Sequence, residues 1–67
     1  MTENITISEL RRHHCVAGIR RWFTANGLDF RAFMREGIAA EDMLATGDAM
    51  GVDAVAKVRG DRARGEG

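Results

Sequence analysis

Apolar residues recur every three to four positions along most of this chain, and short polar or glycine breaks interrupt the pattern at intervals. That rhythm predicts a series of short amphipathic helices. In "ITISEL" Thr6 stands at an N-cap position with Glu9 three residues later, the spacing of a capping box, and Ile5 and Leu10 flank it as a hydrophobic staple. The first helix is expected over about residues 7 to 13, with a bend or break near His14. A second is expected over about residues 15 to 25, where Cys15, Ile19, Trp22 and Phe23 share one face, with Arg20 and Arg21 beside or opposite it. Asn26-Gly27 stops it, and Leu28 is placed to fold back onto the last turn. Asp29 caps a third helix, "FRAFMRE", with Phe30, Phe33 and Met34 along one side. Gly37-Ile38 repeats the glycine stop and hydrophobic return. Glu41 and Asp42 favour the first turn of a fourth helix that carries Met43 and Leu44, and Thr46-Gly47-Asp48 breaks it. A last helix over about residues 49 to 59 shows Val52, Val55 and Val58 or Ala56 on one face.

The fold class these elements predict is all-α: a compact orthogonal bundle of four or five short helices. One helical domain, 1–59, is expected to be followed by a flexible tail, 60–67, because "DRARGEG" holds no apolar residue larger than alanine. The expected core is Leu10, Cys15, Ile19, Phe23, Leu28, Phe33, Ile38, Leu44, Val52 and Val55.

Sixty-seven residues make one domain with a modest core. The lone cysteine leaves no internal disulfide, so packing or a partner must supply the stability. No run approaches the roughly eighteen apolar residues of a membrane span. The opening "MTENITISEL" is acidic and polar, unlike a signal peptide, and a cytoplasmic location is expected. Ten basic residues balance ten acidic ones, but residues 1 to 36 carry +2 and residues 37 to 67 carry −2. This mild dipole falls short of the basic footprint of most nucleic-acid binders.

Within "ELRRHHCVAGIRRWF", His13, His14 and Cys15 stand in a row among arginines. Zinc needs three or four converging ligands, and adjacent helical residues point about 100° apart. No other histidine or cysteine completes a set, so no metal site or cofactor is expected. Cys15 reads as a buried thiol, with one histidine ending the first helix and the other facing solvent. Contiguity of His14 and Cys15 is not the oriented geometry of a nucleophilic pair, and no paired carboxylates or phosphate-binding glycine loop occurs. The chain reads as non-enzymatic.

Two kinds of partner remain. "DFRAFMREGIAAEDMLATG" has the size of a helix-turn-helix, but its second helix would present Glu41 and Asp42 to DNA. A variant using Arg20 and Arg21 with Arg11 and Arg12 has the charge without an obvious turn. A protein partner fits better, because Trp and Arg are enriched at interface hot spots. The candidate interaction residues are Arg11, Arg12, Arg20, Arg21 and Trp22. Trp22 and Phe23 are adjacent: one ring lies at a rim or interface, or both fill a small core. Self-association is an alternative.

The stretch "CVAGIRRWFTANGLDFRAFMREGI" followed by "LATGDA" resembles small helical proteins encoded by phages and prophages of proteobacteria, over about residues 7 to 58. The resemblance implies an accessory gene product that acts on a host or phage protein, on DNA, or as a minor virion or connector part. It implies no catalytic residue and no cofactor.

Overall fold

The computed structural model describes residues 3–65. Residues 1 and 2 of the expected domain, and 66 and 67 of the expected tail, lie outside the described residues. The chain runs through β1 (Asn4–Ile5), α1 (Ile7–Leu10), α2 (Val16–Ala25), α3 (Phe30–Glu36), β2 (Ile38–Ala39), α4 (Ala40–Ala45) and α5 (Ala49–Ala63). The five helices and one strand pair of the described residues fold into a body of 31 × 22 × 22 Å.

Most starts follow the sequence, but α1 ends at Leu10, before the expected residue 13, and the chain turns through residues 11–13. Thr6 Oγ1 accepts from the Glu9 amide at 3.4 Å, and Glu9 Oε1 accepts from the Thr6 amide at 3.1 Å, which completes the capping box. Replacing Thr6 with alanine is therefore expected to cost about 1 kcal/mol. An unchanged denaturation midpoint in Thr6→Ala would contradict that role. At the end of α2 the Leu28 amide donates to the Phe23 carbonyl (2.8 Å) and the Gly27 amide to that of Thr24 (3.2 Å). This is the Schellman pattern, with Gly27 at φ 68°.

The expectation of an all-helical bundle needs correction at residue 37. Gly37 does not turn the chain back onto α3: at φ 79° and ψ −173° it sends the backbone out extended. Ile38 and Ala39 then pair antiparallel with Ile5 and Asn4, and the Ala40 amide donates to the Glu3 carbonyl at 2.7 Å. The chain is mostly helical, with a two-stranded antiparallel pair tying its N-terminal segment to the α3–α4 connection.

The core comprises Ile5, Leu10, Ile19, Trp22, Phe23, Phe33, Ala40, Met43, Ala54, Val55 and Val58, with Leu28, Ile38 and Leu44 packed partly buried against it. Two expected core residues are outside. Cys15 is exposed because it is the N-cap of α2, where its side chain turns back along the helix and Sγ accepts from the Gly18 amide at 3.3 Å. Val52 is about half exposed because the inward face of α5 runs through Gly51, Ala54, Val55, Val58 and Asp61. That face is set by Trp22. A Cβ on Gly51 would lie 2.8 Å from Trp22 Cζ2 and 3.0 Å from the Met43 carbonyl oxygen, so only glycine lets α5 approach here. Met34, expected on the apolar side of α3, is also exposed at 47%.

The last helix runs past residue 59 to Ala63, through Gly60, where a loose tail was expected. Charge explains the extension. Arg59 holds the Glu3 carboxylate through Nε (3.1 and 3.2 Å) and Nη2 (2.8 Å). Arg62 reaches both Glu9 oxygens at 2.7 and 2.9 Å, Glu3 at 3.3 Å and the Asn4 carbonyl. Asp61, only 4% exposed, takes His13 Nε2 on one oxygen and Arg64 on the other, both at 2.6 Å. A buried carboxylate needs such partners, and here they exist only if the helix continues.

These contacts set the acid limb of stability. The Arg59 bonds hold the Glu3 carboxyl below its ordinary 4.5, the Arg62 bonds do the same for Glu9, and the His13 bond leads in lowering Asp61 below 3.8. Folded pKa values below the unfolded ones mean that the unfolded chain binds more protons in the interval between them. The stabilisation is complete above 4.5 and is lost as pH falls through the folded values. Thermal melts should therefore show Tm falling as the pH drops below 4.5. Arg62→Gln should lower Tm at neutral pH and make that fall shallower; an acid limb identical to wild type would contradict the assignment.

Candidate functional site

The row of His13, His14 and Cys15 does not form one site. His13 leaves toward Asp61, Cys15 Sγ is used at the cap of α2, and the partly buried His14 has its Nε2 enclosed without a hydrogen-bond partner. The chain bends at His14, which aims the three side chains apart. Among the described residues no three His, Cys, Asp or Glu side chains come together to hold a metal ion.

The five candidate interaction residues also separate. Trp22 is 8% exposed, and its indole N–H donates to Asp48 Oδ2 at 2.7 Å, the same oxygen that accepts from the Met50 amide at the start of α5. Its ring packs edge-on to Phe23 at 5.4 Å, so both rings belong to the core and Trp22 is not a surface anchor. Arg11 and Arg12 are exposed in the turn after α1, and the Arg12 charge helps to hold the Asp61 carboxyl ionised. Arg20 and Arg21 are exposed on α2, and they diverge.

Arg20 faces a groove of about 760 Å³ between α2 and α3, which Arg31 and Arg35 of α3 also line. Leu28, Phe30 and Met34 provide apolar lining, and Thr24 and Asp29 complete it. The helices are placed by the Schellman turn at Gly27 and by Asp29, whose Oδ1 accepts from the Ala32 amide at 3.0 Å and caps α3. Below the groove Phe23 stacks on Phe33 at 4.5 Å and meets Phe30 edge-on at 5.9 Å, which fixes the Phe30 ring.

Two populations of arginine emerge. Arg59, Arg62 and Arg64 are held by Glu3, Glu9 and Asp61. Among the described residues Arg11, Arg20, Arg21, Arg31 and Arg35 make no side-chain hydrogen bond or ion pair. The ion pairs sharpen the charge asymmetry of the sequence: arginines from α5 neutralise the acids Glu3 and Glu9 of the basic half, and four of the five uncompensated arginines lie on α2 and α3, with Arg11 in the turn after α1. A guanidinium presents a planar fork suited to carboxylate or phosphate oxygens. The ionisable lining comprises three arginines and Asp29, which caps α3, so its charge is predominantly positive. Arg31 and Arg35 are not among the residues expected from sequence, and Met34 was expected on the apolar side of α3, because which face of α3 is open depends on how α2 packs against it. The i, i+4 spacing of Arg31 and Arg35 was the available signal.

The helix-turn-helix candidate maps to α3, the β2 strand and α4. Exposed positions of α4 carry Glu41 and Asp42, which would meet DNA phosphates with like charge. No helix among the described residues is long and apolar enough to cross a membrane. Comparison with known protein families, curated proteins and solved structures gives no match to any of them.

Proposed function

We propose that this chain is a non-enzymatic accessory factor that binds another protein through the groove between α2 and α3. The observation that carries the reading is the gathering of three unpaired arginines with an exposed methionine, on a molecule whose other arginines are mostly engaged internally. Interfaces draw their energy from arginine and from apolar anchors that bury together. The surface differs from the one expected from sequence: Arg20 stays, Arg11, Arg12, Arg21 and Trp22 leave, and Arg31, Arg35 and Met34 join. The phage-like character of "CVAGIRRWF" and the following segment supports an accessory role in a host cytoplasm, on a host or phage protein.

The test is affinity capture from the native cell with and without nuclease, then reconstitution from purified components. One protein that survives nuclease, rebinds when purified, and is lost with Arg20→Glu/Arg31→Glu supports the reading. Loss of every partner with nuclease, together with salt-dependent duplex binding, defeats it in favour of DNA binding.

A further inference from the structure

The groove's chemistry narrows the kind of segment it takes. Arg31 and Arg35 are one helical turn apart, about 6 Å along the axis at 1.5 Å per residue. Arg20 approaches the same groove from α2, so cationic groups border it from both helices. Met34 is 47% exposed beside them, and an unbranched thioether adapts to aliphatic as well as aromatic side chains. Asp29 is the one acid of the chain in the groove lining, and it caps α3; Glu3, Glu9 and Asp61 are engaged with α5 arginines, and Glu36, next to Arg35 in sequence, is not in the lining.

We propose that the α2–α3 groove binds an acidic segment of a partner protein in which carboxylates about one helical turn apart flank a large apolar side chain. The carboxylates meet Arg20, Arg31 and Arg35, and the apolar side chain covers Met34. This rests on the protein-binding reading above and adds the chemistry of the partner. A second copy of the chain would match only half of the surface. Among its acids without an ion pair, Glu41 and Asp42 on α4 are adjacent in sequence and point apart, Glu36 lies on α3 next to Arg35 itself, and of the large exposed apolar residues among those described, Val16, Met34 and Val52, none is on α4. A nucleic acid strand would satisfy the guanidinium groups, but its bases need an open ring face for stacking. Phe30 is half-buried, with its ring packed against Phe23 and Phe33.

The test uses the full chain and a labelled twelve-residue peptide with four glutamates around a central leucine and alanine elsewhere. Its comparators are the Glu→Gln peptide, the Leu→Ser peptide and a labelled single-stranded oligonucleotide. Anisotropy measures affinity, and methyl NMR follows Met34. The expected result is a shift of the Met34 methyl and binding weakened about tenfold or more by Arg31→Glu or Arg35→Glu, the scale of a lost charge-assisted hydrogen bond. The Glu→Gln peptide should lose a similar factor, the Leu→Ser peptide about fivefold or more, and Arg21→Glu, an unpaired arginine outside the groove, less than about twofold. Circular dichroism of each variant separates lost binding from lost folding, and a variant that unfolds is replaced by Arg→Gln at the same position. Equal loss with Arg21→Glu, an unmoved Met34 methyl, or tighter binding of the oligonucleotide overturns the proposal. So does a dimer that forms in sedimentation and excludes the peptide. If the peptide fails while a purified protein partner still binds and is lost with Arg20→Glu/Arg31→Glu, this assignment of the occupant falls and the protein-binding reading stands.

Discussion

Phe23→Ala is expected to leave a large part of the chain unfolded at room temperature. The ring is fully buried, stacks on Phe33 at 4.5 Å and meets Trp22 and Phe30 edge-on at 5.4 and 5.9 Å, so it is the common neighbour of the other three aromatic rings. Removing such a ring costs about 3–5 kcal/mol, from lost transfer free energy and from the cavity left behind. Domains of this length have roughly 3–10 kcal/mol in total, at ~0.05–0.15 kcal/mol per residue. The deletion thus removes a third or more of the whole. Phe23→Leu, which keeps most of the volume, should cost less than about 1.5 kcal/mol if neighbours repack. Urea denaturation followed by circular dichroism and Trp22 fluorescence measures both. An alanine variant that unfolds cooperatively at the wild-type midpoint would show that the core is not organised around this ring.

Gly37→Ala should produce the second large loss. Its φ of 79° with ψ near 180° belongs to a region open almost only to glycine, and a side chain held there costs on the order of 1–3 kcal/mol. Space adds to strain. A Cβ would sit 2.7 Å from the Ile5 carbonyl oxygen and against the Asn4 amide group, so the β1–β2 pair would have to part. The combined loss should reach about 2–4 kcal/mol. Gly47 also has positive φ, but a Cβ there meets nothing within 4 Å, so Gly47→Ala reports the conformational cost alone. If the two variants have equal midpoints, the close approach at Gly37 does not exist. Hydrogen exchange at Ala40, whose amide donates to Glu3 O, should accelerate in Gly37→Ala.

Much of the helical order was legible because it is written in local chemistry. Thr6 with Glu9, Asn26-Gly27-Leu28 and Asp29 act within a few residues of themselves, and the structure uses each as the pattern indicates. What escaped depends on distant partners. The strand pair needs Asn4–Ile5 to meet Ile38–Ala39, and two-residue strands carry no periodicity to read. The extension of α5 to Ala63 depends on Glu3, Glu9 and His13, over fifty residues away for the arginine contacts, whereas an apolar count alone made that segment look like a tail. Cys15 fits the spacing of the α2 stripe, but it lies one residue before the helix, and a cap position overrode the periodicity.

At the candidate site the sequence named Arg20 and missed the groove. Trp22 stayed open between interface and core, because an arginine-flanked tryptophan looks the same in sequence whether its indole N–H reaches solvent or Asp48. Gly51 was the counterpart that decided it, since the ring fits only where α5 has no side chain.

The Glu3–Arg59 and Glu9–Arg62 pairs also bear on how the molecule folds and comes apart. They join residues separated by 56 and 53 positions, so they close loops that span most of the chain. Loop-closure entropy must be overcome before such contacts give anything back, and they belong to the late side of the folding barrier. Contacts absent from the transition state govern escape from the native basin instead of entry into it. In stopped-flow chevrons Arg59→Gln should steepen the loss of native protein by raising the unfolding rate, with refolding close to wild type. The clasp between α5 and the N-terminal segment is then a latch on residence time in the folded state, closed after the core has condensed and opened before it dissolves.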